Sequence, residues 1–348
     1  RGLPKILLVG NPNVGKSVIF SHLTGRYVTV SNYPGTTVSL TRGAGKFGDK
    51  SYEIIDTPGI YSLLPHSEDE QVTATVVLKE QPYQIVQVGD AKNLERTLLV
   101  TIQLLERGVP VILNLNMIDE ADQLRYTIDF AALSRRLGIA VIPTSAVDGR
   151  GVGLLKKELV RETAIPQSRV AYHPDIEKAI GELGPLLPQG EVAPRYLALQ
   201  ILCGDEEVLG GVRQKANAAA FAQIEEIVAR TQKNFSMELI HVITRQRQKK
   251  VQEVLQGIVS RADTPVLSKS LGEAMMRPLT GFPILILVLM ALYQIVGVWA
   301  AGDAVGFMED TVFGRYLIPG VTWLLARILP IPIAQEFLVG EYGAISMG

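Results

Sequence analysis

One cysteine in 348 residues, four histidines and a formal net charge of −1 remove several classes of protein at once. Cys203, set among Leu199, Ile201 and Leu202, can build neither a disulfide framework nor a thiolate metal site; it reads as a small core residue in a reducing compartment. His173 and His241 stand alone, with no acidic partners at metal-ligand spacing. With 34 basic against 35 acidic residues there is no basic field, so nucleic acid is not expected as a partner. No signal peptide is visible. The chain begins at Arg1 and stops just after an apolar run, which reads as a piece trimmed from something longer. Charge is missing altogether from Pro278 to Gly302, a stretch long enough to cross a bilayer.

What is present begins with Gly10-Asn11-Pro12-Asn13-Val14-Gly15-Lys16-Ser17, a G-x-x-x-x-G-K-[ST] pattern directly after the apolar run Ile6 to Val9. A buried strand passing through a glycine-rich turn into a helix, here about Lys16 to Gly25, is the context of a phosphate-binding P-loop. Gly10 and Gly15 let the backbone bend so that its N–H groups meet phosphates; Lys16 reaches the β- and γ-phosphates and Ser17 ligates Mg²⁺. Residues 28 to 37, rich in turn formers, read as a mobile loop that ends at Gly35, Thr36 and Thr37, before an alternating strand from Val38 to Phe47. In a nucleotide switch Thr37 would give its hydroxyl to Mg²⁺ and its N–H to the γ-phosphate. The strand Tyr52 to Ile55 then delivers Asp56-Thr57-Pro58-Gly59, where Asp56 would hold Mg²⁺ through water and the Gly59 N–H would sense the γ-phosphate. Ile60 follows, where Ras-like switches carry the glutamine that orients the attacking water. An alkyl side chain cannot orient water, so slow intrinsic hydrolysis is expected.

A buried strand Gln84 to Val88 precedes a helix opening at Asn93-Leu94-Glu95-Arg96, with Leu94, Leu98, Ile102 and Leu105 at helical spacing. Val111 to Leu115 leads into Asn116-Met117-Ile118-Asp119. The Asp119 carboxylate can accept from the N1–H and 2-amino group of guanine, whereas adenine would leave it unpaired. The last strand, Ile139 to Ile142, ends in Pro143-Thr144-Ser145-Ala146, whose backbone N–H groups can meet the guanine O6. Each element falls at the carboxyl end of an expected strand, where an α/β sheet binds ligands.

GNPNVGKS, NYPGTTV, DTPGIYSL, GDAKNLERTLL, LNMID and PTSA, in this order and at these intervals, resemble the G domain of the prokaryotic ferrous-iron transport protein B family. The DA-x-NLER element is the most discriminating, because general GTPases do not carry it. The resemblance implies an α/β fold, a P-loop GTPase of the Ras type with a doubly wound sheet over 1–165. An all-α regulatory domain over 166–262 would follow, then an interfacial helix and a transmembrane helix at about 280–302 within 263–348. It implies GTP and GDP as ligands with Mg²⁺. For Asn13 two readings stay open: a K⁺ ligand beside the phosphates, supplying charge that an arginine finger would otherwise bring, or a turn residue.

The helical region shows Phe221, Ile224, Ile227 and Val228 on one face, and Val251, Val254, Leu255 and Ile258 on another. Arg245, Arg247, Lys249 and Lys250 read as a solvated face or a contact with anionic lipid. Val266, Leu267, Leu271, Ala274 and Met275 suggest a short amphipathic helix at the membrane interface. Basic residues precede the uncharged run and Asp303, Glu309 and Asp310 follow it, so the positive-inside rule keeps the G domain in the cytoplasm. The second apolar region, Tyr316 to Gly340, is interrupted by Pro319, Arg327, Pro330 and Pro332 and reads as interfacial or re-entrant. The expected function is a GTP-hydrolysing switch of a ferrous-iron transporter of the inner membrane. The alternatives are a soluble GTPase of ribosome assembly or tRNA modification and a membrane-tethered signalling switch. Expected partners are guanine nucleotide, the lipid bilayer and a downstream permease domain of the same protein; a homo-oligomer and a small cytosolic accessory protein stay open.

Overall fold

Ile6, Leu7, Leu8 and Val9 are all fully buried and alternate between the two sides of one strand, so each side seeds its own core. The computed structural model describes residues 3–25, 28–34, 36–64, 67–80, 82–161, 170–188, 190, 192–261, 272 and 274–328. In it this strand, β1 (Lys5–Gly10), lies in the middle of a seven-stranded sheet. The chain continues through α1 (Lys16–Leu23), β2 (Val28–Asn32), β3 (Ser39–Phe47), β4 (Lys50–Asp56), α2 (Glu68–Lys79), β5 (Gln84–Asp90) and α3 (Leu94–Arg107). Next come β6 (Val111–Asn116), α4 (Ile118–Gln123), β7 (Tyr126–Ile128), α5 (Phe130–Leu137), β8 (Ala140–Pro143) and α6 (Val152–Glu158). The strands are ordered β2-β3-β4-β1-β5-β6-β8. β4, β1, β5, β6 and β8 run parallel, while β3 and β2 are antiparallel additions at one edge. Parallel pairing brings the strand-end residues Gly10, Asp56, Asp90, Asn116 and Pro143 to a common edge.

One side of the sheet, with Ile6 and Leu8, packs under Ile19, Phe20 and Leu23 of α1 and Val152 and Leu155 of α6. The other, with Leu7 and Val9, packs under Val72 and Val76 of α2 and Leu98 and Ile102 of α3. That second core does not stop at the edge of the sheet domain. It runs on through Ile176, Leu199, Ile224, Ile243 and Val251 of α7 (Pro174–Leu183), α8 (Pro194–Leu202), α10 (Ala218–Lys233) and α11 (Leu239–Leu255), with α9 (Glu206–Lys215) between. A short strand, β9 (Val259–Arg261), then returns to pair antiparallel with β7, Tyr126 opposite Arg261. Residues 1–262 therefore form a single compact unit.

The helices start where local chemistry satisfies their free N–H groups. Asp205 accepts from the amides of Glu207 and Val208, Asn217 from that of Ala220, and proline opens α7 and α8. Arg136 of α5 donates to the carbonyls of Val254 and Gln256, closing the C-terminus of α11 from the other domain.

The structure corrects several expectations. Val28–Asn32 is a strand rather than a loop; all five residues are exposed, so this edge strand has no buried side and leaves no alternation to read. Gly35 lies outside the described residues. Asp119 sits in the first turn of α4, a helix too short to announce itself by periodicity. Arg247 is not part of a solvated face: its side chain is 2 % exposed and bonded to Glu106 of α3. Cys203, by contrast, is the buried core residue expected, and burial pushes its thiol up to about 11.

The second unit, residues 263–348, is described here by itself. Of the expected interfacial helix, Val266, Leu267 and Leu271 lie outside the described residues. A continuous helix, α12, runs Pro278–Val321, with a mean hydropathy of 2.4 in its most apolar window and no part of that window buried against protein. It does not end at residue 302. It passes through Asp303, Glu309, Asp310 and Arg315 as π-helix (Tyr293–Ala304 and Phe307–Leu317) and continues α-helical over Ile318–Ile328, across Pro319. The break expected at Pro319 is therefore absent. Residues 329–340 of the second apolar region, Pro330 and Pro332 included, lie outside the described residues.

Candidate nucleotide-binding site

The loop between β1 and α1 is built on close approaches that allow no side chain. A Cβ on Gly10 would stand 2.1 Å from the Val88 carbonyl oxygen, and one on Gly59 would stand 2.8 Å from Pro12. Gly15 has φ +80° and faces the Asn116 amide nitrogen at 2.4 Å from where its Cβ would be. Asn13 also takes the left-handed conformation, φ 62°, with its side chain exposed. Buried Asn11 donates to the Ile60 carbonyl at 2.9 Å while the Ile60 N–H returns to Gly10 at 2.9 Å, lacing the P-loop to the turn after β4. Pro12 and Val14 complete the loop. Ile60 itself is fully buried.

Three functional groups converge at the start of α1. Lys16 Nζ lies 2.5 Å from Asp56 Oδ1, and Ser17 Oγ donates to Asp56 Oδ2 at 3.1 Å. Lys16 and Asp56 line a cavity of about 560 Å³ together with Thr37, Thr57, Pro58, Glu68 and Asp69. Thr57 is anchored to the Leu8 carbonyl at 2.9 Å, and Pro58 accepts from Thr73 at 3.1 Å. The Thr36 hydroxyl closes its own turn on Tyr33 at 3.0 Å. Thr37 is exposed, and its N–H and hydroxyl meet the Glu68 carboxylate at 3.3 and 3.5 Å. Glu68 was not anticipated. The signal for it was the Ser67-x-x-Glu70 helix start, with Ser67 accepting from the Glu70 amide, which places acidic residues at the mouth of this cavity.

The base-facing side is organised by Asn116. Its Nδ2 donates to the Val14 carbonyl at 2.9 Å, and its Oδ1 accepts from the Ala146 N–H at 2.9 Å and from the Thr144 hydroxyl at 3.2 Å. One buried amide thus joins the P-loop, β6 and the loop after β8. Met117 takes φ 62° and turns the chain into α4, and Asp119 follows in its first turn, half-buried. Lys92, beside Asp119, is held charged by its 2.5 Å bond to Glu120. Ser145 is tied to Arg150 and Asp148 at 3.0 and 3.1 Å. Apart from Gly35, every residue expected at the site lies on these loops or on the strand ends and helix starts that flank them.

Sheet order, P-loop and the loops at the strand ends define a P-loop GTPase fold. The chain matches the family described as Ferrous iron transport protein B over residues 4–159, and the FeoB cytosolic helical domain over residues 172–260. It belongs to that family. The Fe(2+) transporter FeoB of Salmonella choleraesuis is 30 % identical over 327 residues, 91 % of this chain and 41 % of that protein. An Fe(2+) transport protein A/FeoB fusion protein of Porphyromonas gingivalis is 38 % identical over 59 % of this chain and 26 % of its own length. This chain thus spans less than half of either relative. Among solved structures, a GDP-bound S. thermophilus NFeoB mutant aligns with a TM-score of 0.65 at 32 % identity, covering 74 % of this chain and all of the other. The cytosolic domain of L. pneumophila FeoB aligns at 0.66 and 30 %, with the same coverage.

Proposed function

We propose that residues 1–262 bind GTP and hydrolyse it slowly, and that this cycle switches a ferrous-iron transporter of the inner membrane to which α12 and a downstream permease belong. The observation that carries the reading is the meeting of Lys16, Ser17 and Asp56 at one end of a sheet edge whose other end presents Asn116, Asp119 and Ala146. Lys16 and the P-loop amides hold the phosphates. Ser17 and Asp56 are hard oxygen donors 3.1 Å apart and fit Mg²⁺, which when bound offsets charge on the phosphates. Thr37 exchanges Glu68 for the γ-phosphate, and Gly59 closes from the opposite side, so switch ordering depends on the triphosphate. Asp119 selects guanine, and the Ser145–Ala146 backbone meets its O6. Ile60, buried and alkyl, cannot orient the attacking water, and Asn13 would hold a K⁺ whose charge would assist hydrolysis. The GDP bound to the S. thermophilus relatives supports the nucleotide assignment.

Isothermal titration of the full chain with Mg-GTP and Mg-ATP tests this directly: ATP binds at least about 100-fold more weakly, because adenine leaves Asp119 unpaired. Equal affinities, or binding of neither nucleotide, would sink the reading.

A further inference from the structure

We infer that His22 is a positioning residue that holds the guanine-facing loop in place and so sets how long a nucleotide stays bound. The inference rests on the guanine assignment above. His22 lies in the last turn of α1, the helix that begins with Lys16 and Ser17, and is half-buried. Its Nε2 is 2.7 Å from the Ala146 carbonyl oxygen, 124 positions away in sequence. A carbonyl oxygen only accepts, so Nε2 is the nitrogen that carries the proton in this contact.

The opposite side of residue 146 is held by a different element, its N–H donating to Asn116 at 2.9 Å. Two residues earlier the chain is sewn into the sheet, with the Thr144 N–H on Leu115 at 2.7 Å and its carbonyl on the Ile118 N–H at 3.2 Å. One step later it leaves the fold: Ala146 is 2 % exposed and Val147 is 86 % exposed. His22 therefore grips the loop where it passes from fixed to free. A basic residue in a last helical turn commonly serves its own helix carbonyls. Here the Phe20 carbonyl is already taken by the Thr24 N–H and hydroxyl, at 2.9 and 2.8 Å, and the ring turns to Ala146 instead. The consequence is a link between the two ends of the nucleotide: the helix that starts at the phosphates fixes, at its far end, the backbone that reads the base. Loosening that link frees the base-side loop while Lys16, Ser17 and Asp56 stay as they are.

The test is stopped-flow release of a fluorescent methylanthraniloyl-GDP from the purified full chain. H22A releases it about five-fold faster, the loss expected for one hydrogen bond of this kind. H22Q, whose amide can still donate, restores the slow rate. The kcat at saturating GTP stays within about two-fold of the parent for both variants, and circular-dichroism melts of the nucleotide-free proteins coincide, separating positioning from general damage. Release from H22A at the parental rate, equal acceleration by H22A and H22Q, or a fall in kcat that matches the gain in release rate would each overturn the inference. If the unaltered chain binds no guanine nucleotide, the site assignment fails first; if it binds and H22A changes nothing, His22 alone is ruled out.

Discussion

Among the ion pairs that bridge distant parts of the chain, Lys16–Asp56 and Arg247–Glu106 have surroundings that give them opposite characters. Lys16–Asp56 has side chains 11 % and 10 % exposed and opens onto the cavity of about 560 Å³. Arg247–Glu106 has side chains 2 % and 3 % exposed, and the Tyr172 hydroxyl completes it, bonding both Glu106 and Arg247. On the proposed function the first would exchange partners, Lys16 turning to phosphate and Asp56 to Mg²⁺, because both charges border the open cavity. The second is almost fully shielded from solvent among the described residues. Burial opposes the charge on Arg247, yet the Glu106 carboxylate more than offsets this and keeps the guanidinium charged; burial likewise pushes the Tyr172 phenol up. A further pair sits between them in kind. Glu207, in the first turn of α9, binds Lys79 at 2.8 Å and the Thr75 hydroxyl, both on the α2 helix that follows the switch turn. Replaceable charge at the pocket and permanent charge at the junction together suit a domain that must change state without coming apart.

Removing one member of each pair sharpens this contrast. Glu106→Ala strands Arg247 in the core, and chemical denaturation of the full chain should show a loss of about 3–5 kcal/mol in the cytosolic unit. A loss under about 1 kcal/mol would mean that water enters the junction and that it is not permanent. Lys16→Ala should cost only about 1–2 kcal/mol, since Asp56 keeps Ser17 and faces the cavity. In the full-length protein the same variant should abolish both GTP turnover and iron uptake; uptake at the parental level would detach the nucleotide from transport. Asn13→Ala, at an exposed position with φ 62°, should cost about 1 kcal/mol through the left-handed backbone, yet remove any acceleration of GTP hydrolysis by KCl over NaCl. Acceleration that survives the substitution would exclude Asn13 as the K⁺ ligand.

Most of the pocket was legible because P-loop chemistry is local. Gly15 is required by its own left-handed turn, Asp56 ends its own strand, and Asn116 ends its own, although the need for glycine at residue 10 comes from Val88 on another strand. Residues whose role depends on a partner far along the chain were not legible. Arg247 looks like its solvated neighbours Arg245 and Lys249 until α11 is laid against α3. Glu68 reads as an ordinary acidic helix start until Thr37 is folded over it. His22 reads as a helix-end base until the loop after β8 reaches it. β2 escaped notice for another reason: with no buried side it carries no periodicity, and only its pairing with β3 makes it a strand.

The sequence by itself determined the P-loop pattern and the N-x-x-D pattern on which the proposed phosphate and guanine sites rest, because such patterns are short runs of backbone and a few side chains whose spacing is fixed by covalent geometry. It also determined an apolar helix long enough for a membrane, since composition and length decide that alone. Only the tertiary structure decided that sheet domain and helical domain share one core, that Arg247 is buried and paired, and that α12 continues through Asp303 and Pro319. The shared core and the buried Arg247 depend on which surfaces meet, and long-range contact is a property of the fold that no local pattern encodes.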